Sequence, residues 1–123
     1  MSQLTIRQFR RADESREFPL GQFDLITLCE TTIGHARYEP GWRWSTHVGP
    51  ISGTPLCTVE HLGFVLTGRA AVKMENGDEA ILSPGDLFFV SGAHDSWVVG
   101  DEAYESLQFL NAASYARSKG QET

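Results

Sequence analysis

Turn signals recur so closely along this chain that neither a long helix nor a long strand fits between them. "EPGW" at 39–42 and "SPGD" at 83–86 place Pro before Gly, the order of a type II turn. "ENGD" at 75–78 sets Asn76-Gly77 between "RAAVKM" and "EAIL", which predicts a hairpin turn with positive φ at both residues. "TGR" around Gly68 and "VGDE" around Gly100 punctuate the remainder. The intervening runs are short and rich in β-branched and aromatic residues: Phe23–Cys29, Ile33–Tyr38, Trp42–His47, Cys57–Leu66, Ala70–Met74, Ala80–Leu82, Leu87–Val90, Trp97–Val99 and Tyr104–Leu110. Eight or nine such strands predict an all-β, antiparallel sandwich or small barrel. Helix is confined to a short turn in "AASYARSK" and a weaker one around "ADESREF".

At 123 residues the chain is one domain, long enough to bury about two-thirds of its unfolded surface. The expected division is a barrel core over about 36–110, N-terminal strands over 1–35 and a C-terminal tail over 111–123. A net charge of −6 argues against nucleic acid and anionic membranes as partners, since both need a basic patch. No apolar run approaches the roughly 18 residues of a membrane span. The polar start "MSQLTIRQFRRADESREF" lacks the apolar centre of a signal peptide, so the expectation is a cytoplasmic protein. Cys29 and Cys57 are too few for a disulfide framework and are expected to be reduced.

One run carries unusual chemistry. In "GWRWSTHVGP" at 41–50, a period of two puts Arg43, Ser45 and His47 on one face and Trp42, Trp44 and Thr46 on the other. If the polar face looks into a cavity, the tryptophans pack outward, against the N-terminal strands or a partner subunit. In the run from Cys57, alternation aligns Cys57, Val59, His61, Gly63 and Val65, with Thr58, Glu60, Leu62, Phe64 and Leu66 opposite. The same period puts His94 and Ser96 on one side.

These turns and histidines together resemble the cupin family, a double-stranded β-helix barrel of the jelly-roll type. The family's first motif opens with Gly, five residues and His, as Gly41 and His47 do here. Its second histidine position is Gly49. Its glutamate stands seven before the motif's final glycine, and seven before Gly68 is His61. The insertion "PISGTPLCTV" separates the two halves. The second motif resembles "GDLFFVSGAHDSW": Gly85 fits, Ser91 replaces the proline, Ala93 stands for the glycine, and Ser96 takes the histidine position, with His94 two residues earlier. The resemblance covers about residues 36–110.

What it implies is a barrel whose cavity gathers His47, His61 and His94 around one divalent transition metal, Zn, Fe, Ni or Cu. Each imidazole has a plainer reading as a hydrogen-bonded core or rim residue, and for His35 the plain reading prevails. Cys57 is weighed as a soft ligand against simple packing, and packing is favoured. Arg43, Ser45, Cys57 and Ser96 are the candidate substrate contacts. For Arg43 a salt bridge at the barrel mouth competes, because a guanidinium is costly to bury unpaired. Asp95 reads as a turn residue bonding its own backbone more readily than as a carboxylate holding His94. No Ser-His-Asp order, phosphate-cradling loop or Cys–His nucleophile pattern is present. Two function classes stay open: a metal-dependent, dioxygenase-like or isomerase-like enzyme for a small organic acid or ketone, or a non-catalytic small-ligand-binding or sensory module. The outward apolar residues Trp42, Trp44, Phe64 and Leu66 predict a homodimer.

Overall fold

The computed structural model describes residues 2–110, 112, 115 and 116. After a 3-10 turn at Phe9–Arg11 come β1 (Glu14–Phe18), β2 (Gly21–Leu28) and β3 (Thr31–Tyr38). Two four-residue helices follow, α1 (Trp44–His47) and α2 (Gly49–Ser52). The remaining strands are β4 (His61–Thr67), β5 (Arg69–Met74), β6 (Glu79–Leu82), β7 (Leu87–Val90), β8 (His94–Val99) and β9 (Tyr104–Leu110). They form a six-stranded sheet in the order β1-β2-β3-β9-β4-β7 and a three-stranded sheet in the order β6-β5-β8. Every pairing is antiparallel, so the all-β, jelly-roll expectation holds.

Aromatic rings fill the space between the sheets. Tyr38 stacks on Trp42 with centroids 3.8 Å apart and planes 6° from parallel, while Tyr104 and Phe18 flank the pair. Inward residues alternate with outward ones as a half-buried strand requires; on β4, His61, Gly63 and Val65 are buried and Leu62 and Leu66 are not. Gly63 is needed for space, since a Cβ there would stand 2.6 Å from the Phe88 ring carried by the paired β7.

Both Pro-Gly turns close: the Trp42 and Asp86 N–H groups donate back to the Glu39 and Ser83 carbonyls. The Asn76-Gly77 turn forms differently from expectation. Only Gly77 has positive φ, at 99°. Its N–H donates to the Met74 carbonyl, while the Met74 N–H donates to Asp78, so the hairpin has one more loop residue than a two-residue turn needs. The Asn76 side-chain oxygen accepts the Asp78 N–H, a local bond that holds the turn with Asn76 outside the positive-φ region.

Other local expectations are also revised. "ADESREF" contributes to β1, paired in full to β2, instead of a helix. The run from Cys57 becomes a strand only at His61, and β8 begins at His94, before Trp97. Most of "AASYARSK" lies outside the described residues.

The largest revision is at 42–47. Instead of a strand, the chain makes one bridge, Arg43 to Trp97, and then winds into α1. The cause is a cap delivered from a distant strand. Asp95 on β8 accepts the Ser45 N–H at 3.0 Å, the Ser45 hydroxyl at 2.7 Å and the Arg43 guanidinium at 2.8 Å. An N-terminal helix donor is thereby satisfied, a job the Arg43 side chain cannot do. Winding also reverses the expected faces. Trp42 and Trp44 are 1% and 3% exposed and belong to the core, not to an outward surface.

Asp95→Ala should therefore destabilise the fold by about 1–3 kcal/mol through loss of the cap and its charged hydrogen bonds. Thermal melting should show a fall of roughly 5–10 °C. Arg43→Ala, which removes a half-exposed ion pair and the guanidinium's contact with the Trp97 ring, should cost about 1 kcal/mol or less. Equal losses in both variants would show that the ion pair, not the cap, holds α1.

Candidate metal centre

Cys57, His61 and His94 bring their donor atoms within 4.8 Å of one another, and all three residues are buried. Cys57 and His94 meet through the backbone. Each donates its N–H to the other's carbonyl, at 2.9 and 3.0 Å, which sets their side chains side by side. His61 enters from the first position of β4, opposite Val90 of β7. Its Nε2 lies 3.5 Å from the Cys57 sulfur, and its ring meets His94 edge to face at 5.2 Å.

Buried imidazole and thiol settle into their neutral forms here. Burial, helped by neighbouring His94, pulls the His61 pKa down to about 4, with Gln108 acting the other way. Burial lowers His94 as well, opposed by the Gly92 carbonyl and Asp95. Burial pushes the Cys57 thiol up to about 12. Near neutral pH both imidazoles therefore hold free lone pairs and the thiol keeps its proton. His94 Nδ1 stands 2.9 Å from the Gly92 carbonyl; donating a proton there leaves Nε2 as the ligating atom.

The donor set suits a borderline-soft divalent ion. Bond lengths of roughly 2.3 Å to sulfur and 2.0–2.1 Å to nitrogen at a tetrahedral centre place the two donors about 3.5 Å apart. That is the Cys57–His61 separation found here. Three protein ligands leave a fourth position for water or substrate.

The clustered donors differ by one member from the trio expected to ligate a metal. His47 sits on α1 with Nδ1 turned to the Arg43 backbone, 3.0 Å from its nitrogen, and is not part of the cluster. A strand at 42–47 would have aimed it inward; the helix does not. Cys57 is the third donor of the cluster instead. Ser96 lines the cavity beside His94. Arg43 and Ser45 do not line it; both are engaged by Asp95, and Arg43 also lies 4.2 Å over the Trp97 ring. His35 pairs with Glu105 at 2.9 Å and stacks on Phe9, away from the cluster.

His61 and His94, but not Cys57, line a cavity of about 40 Å³, room for about three waters. Its walls include Trp42 and Trp44, expected to face outward, and Gln108 and Tyr115, none of the four a sequence-predicted site residue. Tyr115 meets His61 edge to face at 5.1 Å and pairs its hydroxyl with Tyr38 at 2.8 Å. Gln108 was the legible one. In "YESLQFL" the residues Tyr104, Ser106 and Gln108 alternate, and the polar face is the buried one.

No family model matches the chain, and no curated protein matches it. Solved structures do. A protein of unknown function from Rhizobium leguminosarum bv. viciae is 18% identical with a TM-score of 0.63, over 89% of this chain and 97% of that one. KdgF from a Halomonas species is 16% identical with a TM-score of 0.56, over 79% and 86%. Oxalate decarboxylase OxdC from Bacillus subtilis is 20% identical with a TM-score of 0.59, over 92% of this chain but only 32% of that one. The structural neighbours are cupin-fold proteins, and the chain shares that fold.

Proposed function

We propose that the protein is a metal-dependent cupin in which Cys57, His61 and His94 hold one divalent transition ion, zinc best matching a thiolate with two imidazoles. The convergence of these three buried donors, two of which, His61 and His94, line a cavity, carries the reading. A bound ion would polarise a carbonyl or acidify a bound water, chemistry suited to a small organic acid or ketone. The protein's own part is to keep both imidazoles neutral, to surrender the Cys57 proton when an ion arrives, and to exclude bulk water with aromatic walls. KdgF and oxalate decarboxylase, whose fold the chain shares, are consistent with such a role without specifying the reaction.

A second reading has one observation behind it. No carboxylate lines the cavity among the described residues, so an obvious general base is lacking. The same site would then bind a small ligand without turning it over.

Zinc titrated into metal-free protein at pH 7.5 should bind with about one-to-one stoichiometry. It should release about one proton, because the Cys57 thiol starts protonated and both imidazoles start neutral. Calorimetry in buffers of different ionisation enthalpy reads that number. Cys57→Ser should remove the proton release and weaken zinc at least tenfold, and His61→Ala or His94→Ala should abolish binding. His47→Ala and His35→Ala should bind as the parent does. Zinc held equally well by Cys57→Ser but lost in His47→Ala would refute the ligand set.

The depressed His61 pKa also predicts acid sensitivity. The folded value of about 4 lies below the ordinary 6.5, so the native state resists a proton that the unfolded chain accepts. Stability is lost as pH falls from about 6.5 towards 4. The metal-free protein should lose about 2 kcal/mol between pH 7 and pH 5 through this residue. Urea midpoints at the two pH values should differ accordingly, and His61→Gln should flatten the difference. An unchanged slope in that variant would assign the acid sensitivity elsewhere.

A further inference from the structure

The outer face of the six-stranded sheet is divided in two. Over β1, β2 and β3 it is polar and its groups are paired. Ser15, Gln22 and Asp24 hydrogen-bond to one another, His35 and Arg37 pair with Glu105 of β9, and Phe9 stacks on His35. Over β9, β4 and β7 it is apolar. Leu87, Phe64 and Leu107 form one cross-strand row, Phe89 and Leu62 form another, and Leu66 follows on β4. Their neighbours His61, Gly63 and Val65 point into the core, so these side chains point away from it. Leu87 is 70% exposed, Phe89 59%, Leu66 39% and Leu62 36%.

The patch is large and ungoverned by charge. At roughly 200 Å² for a side chain of this size, those four residues present about 400 Å², and the half-buried Phe64 and Leu107 join them into one surface. A stable two-chain interface covers roughly 600–1,000 Å² of each partner, with an apolar centre and a polar rim. The patch has the size of such a centre, and Glu105 with Arg37 stands at its margin as a rim. β7 is moreover an edge strand, "LFFV", without the charge or proline that commonly guards an edge.

We propose that a second copy of this chain covers the patch, the β9-β4-β7 faces of two chains packing together about a two-fold axis. A two-fold axis sets the same patch against itself, and a patch without charges brings no like charges together. The chain's own end is a poor cover, because residues 117–123, "RSKGQET", hold no apolar side chain. Pairing of the β7 edges alone would bury only four residues of each chain, well short of a stable interface. Of the residues expected to meet a partner, Phe64 and Leu66 stand in this patch, whereas Trp42 and Trp44 lie in the core. The proposal is independent of the metal reading.

Analytical ultracentrifugation across the micromolar range should read the mass of two chains. Leu87→Glu and Phe89→Glu, both on exposed positions, should each weaken association by about a hundredfold, because a two-fold interface meets every substitution twice. Leu66→Glu, one strand in from the edge, should weaken it by about tenfold or more if faces and not edges meet. Ile81→Glu, 45% exposed on the other sheet, should leave it unchanged. Added salt should tighten the dimer, since each chain carries a net charge of −6. Circular dichroism checks the fold of each variant. A monomer throughout the range, or a mass that climbs past two chains, overturns the proposal. So does a dimer indifferent to Leu87→Glu and Phe89→Glu, one weakened as much by Ile81→Glu, or one that salt dissociates. Sensitivity at Leu87 and Phe89 with none at Leu66 would assign edge pairing and overturn the facing arrangement.

Discussion

The reciprocal hydrogen bonds between Cys57 and His94 join parts of the molecule that would otherwise be separate. His94 opens β8, in the three-stranded sheet, and Cys57 stands four residues before His61 on the six-stranded sheet. The next residue along, Asp95, caps α1 and so places Trp42 and Trp44 in the core. One short stretch of β8 thereby closes the barrel, assembles the donor cluster and sets the aromatic wall beside it. Changes on this seam reach fold and site together, which is why isosteric substitutions are more informative there than truncations.

The site holds an unusual concentration of polar groups for a small core. Two histidines, a thiol, a glutamine and paired tyrosine hydroxyls lie among aromatic rings. Burial drives the imidazoles and the thiol to their uncharged forms, which lowers the cost of keeping them there. Readiness for a cation is the counterpart of that neutrality. The imidazoles need no deprotonation to ligate, and the one proton that must leave sits on the atom with most to gain from a bound charge. The surrounding stack of Phe18, Trp42, Tyr38 and Tyr104 supplies the apolar burial that makes such a polar centre tolerable.

The shared fold leaves chemistry open, because a jelly-roll barrel accommodates many sites. Within it this chain places a three-donor cluster and an aromatic cavity wall. A thiol stands where His47 was expected, and the cavity lining has tryptophan, tyrosine and glutamine residues and, among the described residues, no carboxylate.

The spacing of turns and the period-two alternation determined eight of the nine strands, the antiparallel class and the shared inward face of Cys57, His61 and Val65, because each depends on neighbours a few residues apart. His94 and Ser96 were legible for the same reason. The helix at 44–47 was not, because its cap comes from Asp95, fifty residues away, and alternation cannot register a hydrogen bond from a distant strand. With that helix went the place of His47, the burial of both tryptophans and the promotion of Cys57 to the cluster. Gln108 and Tyr115 likewise became site residues only when β9 and the chain beyond it closed over β4. Local periodicity thus determined which residues face inward, and tertiary closure decided which of them meet.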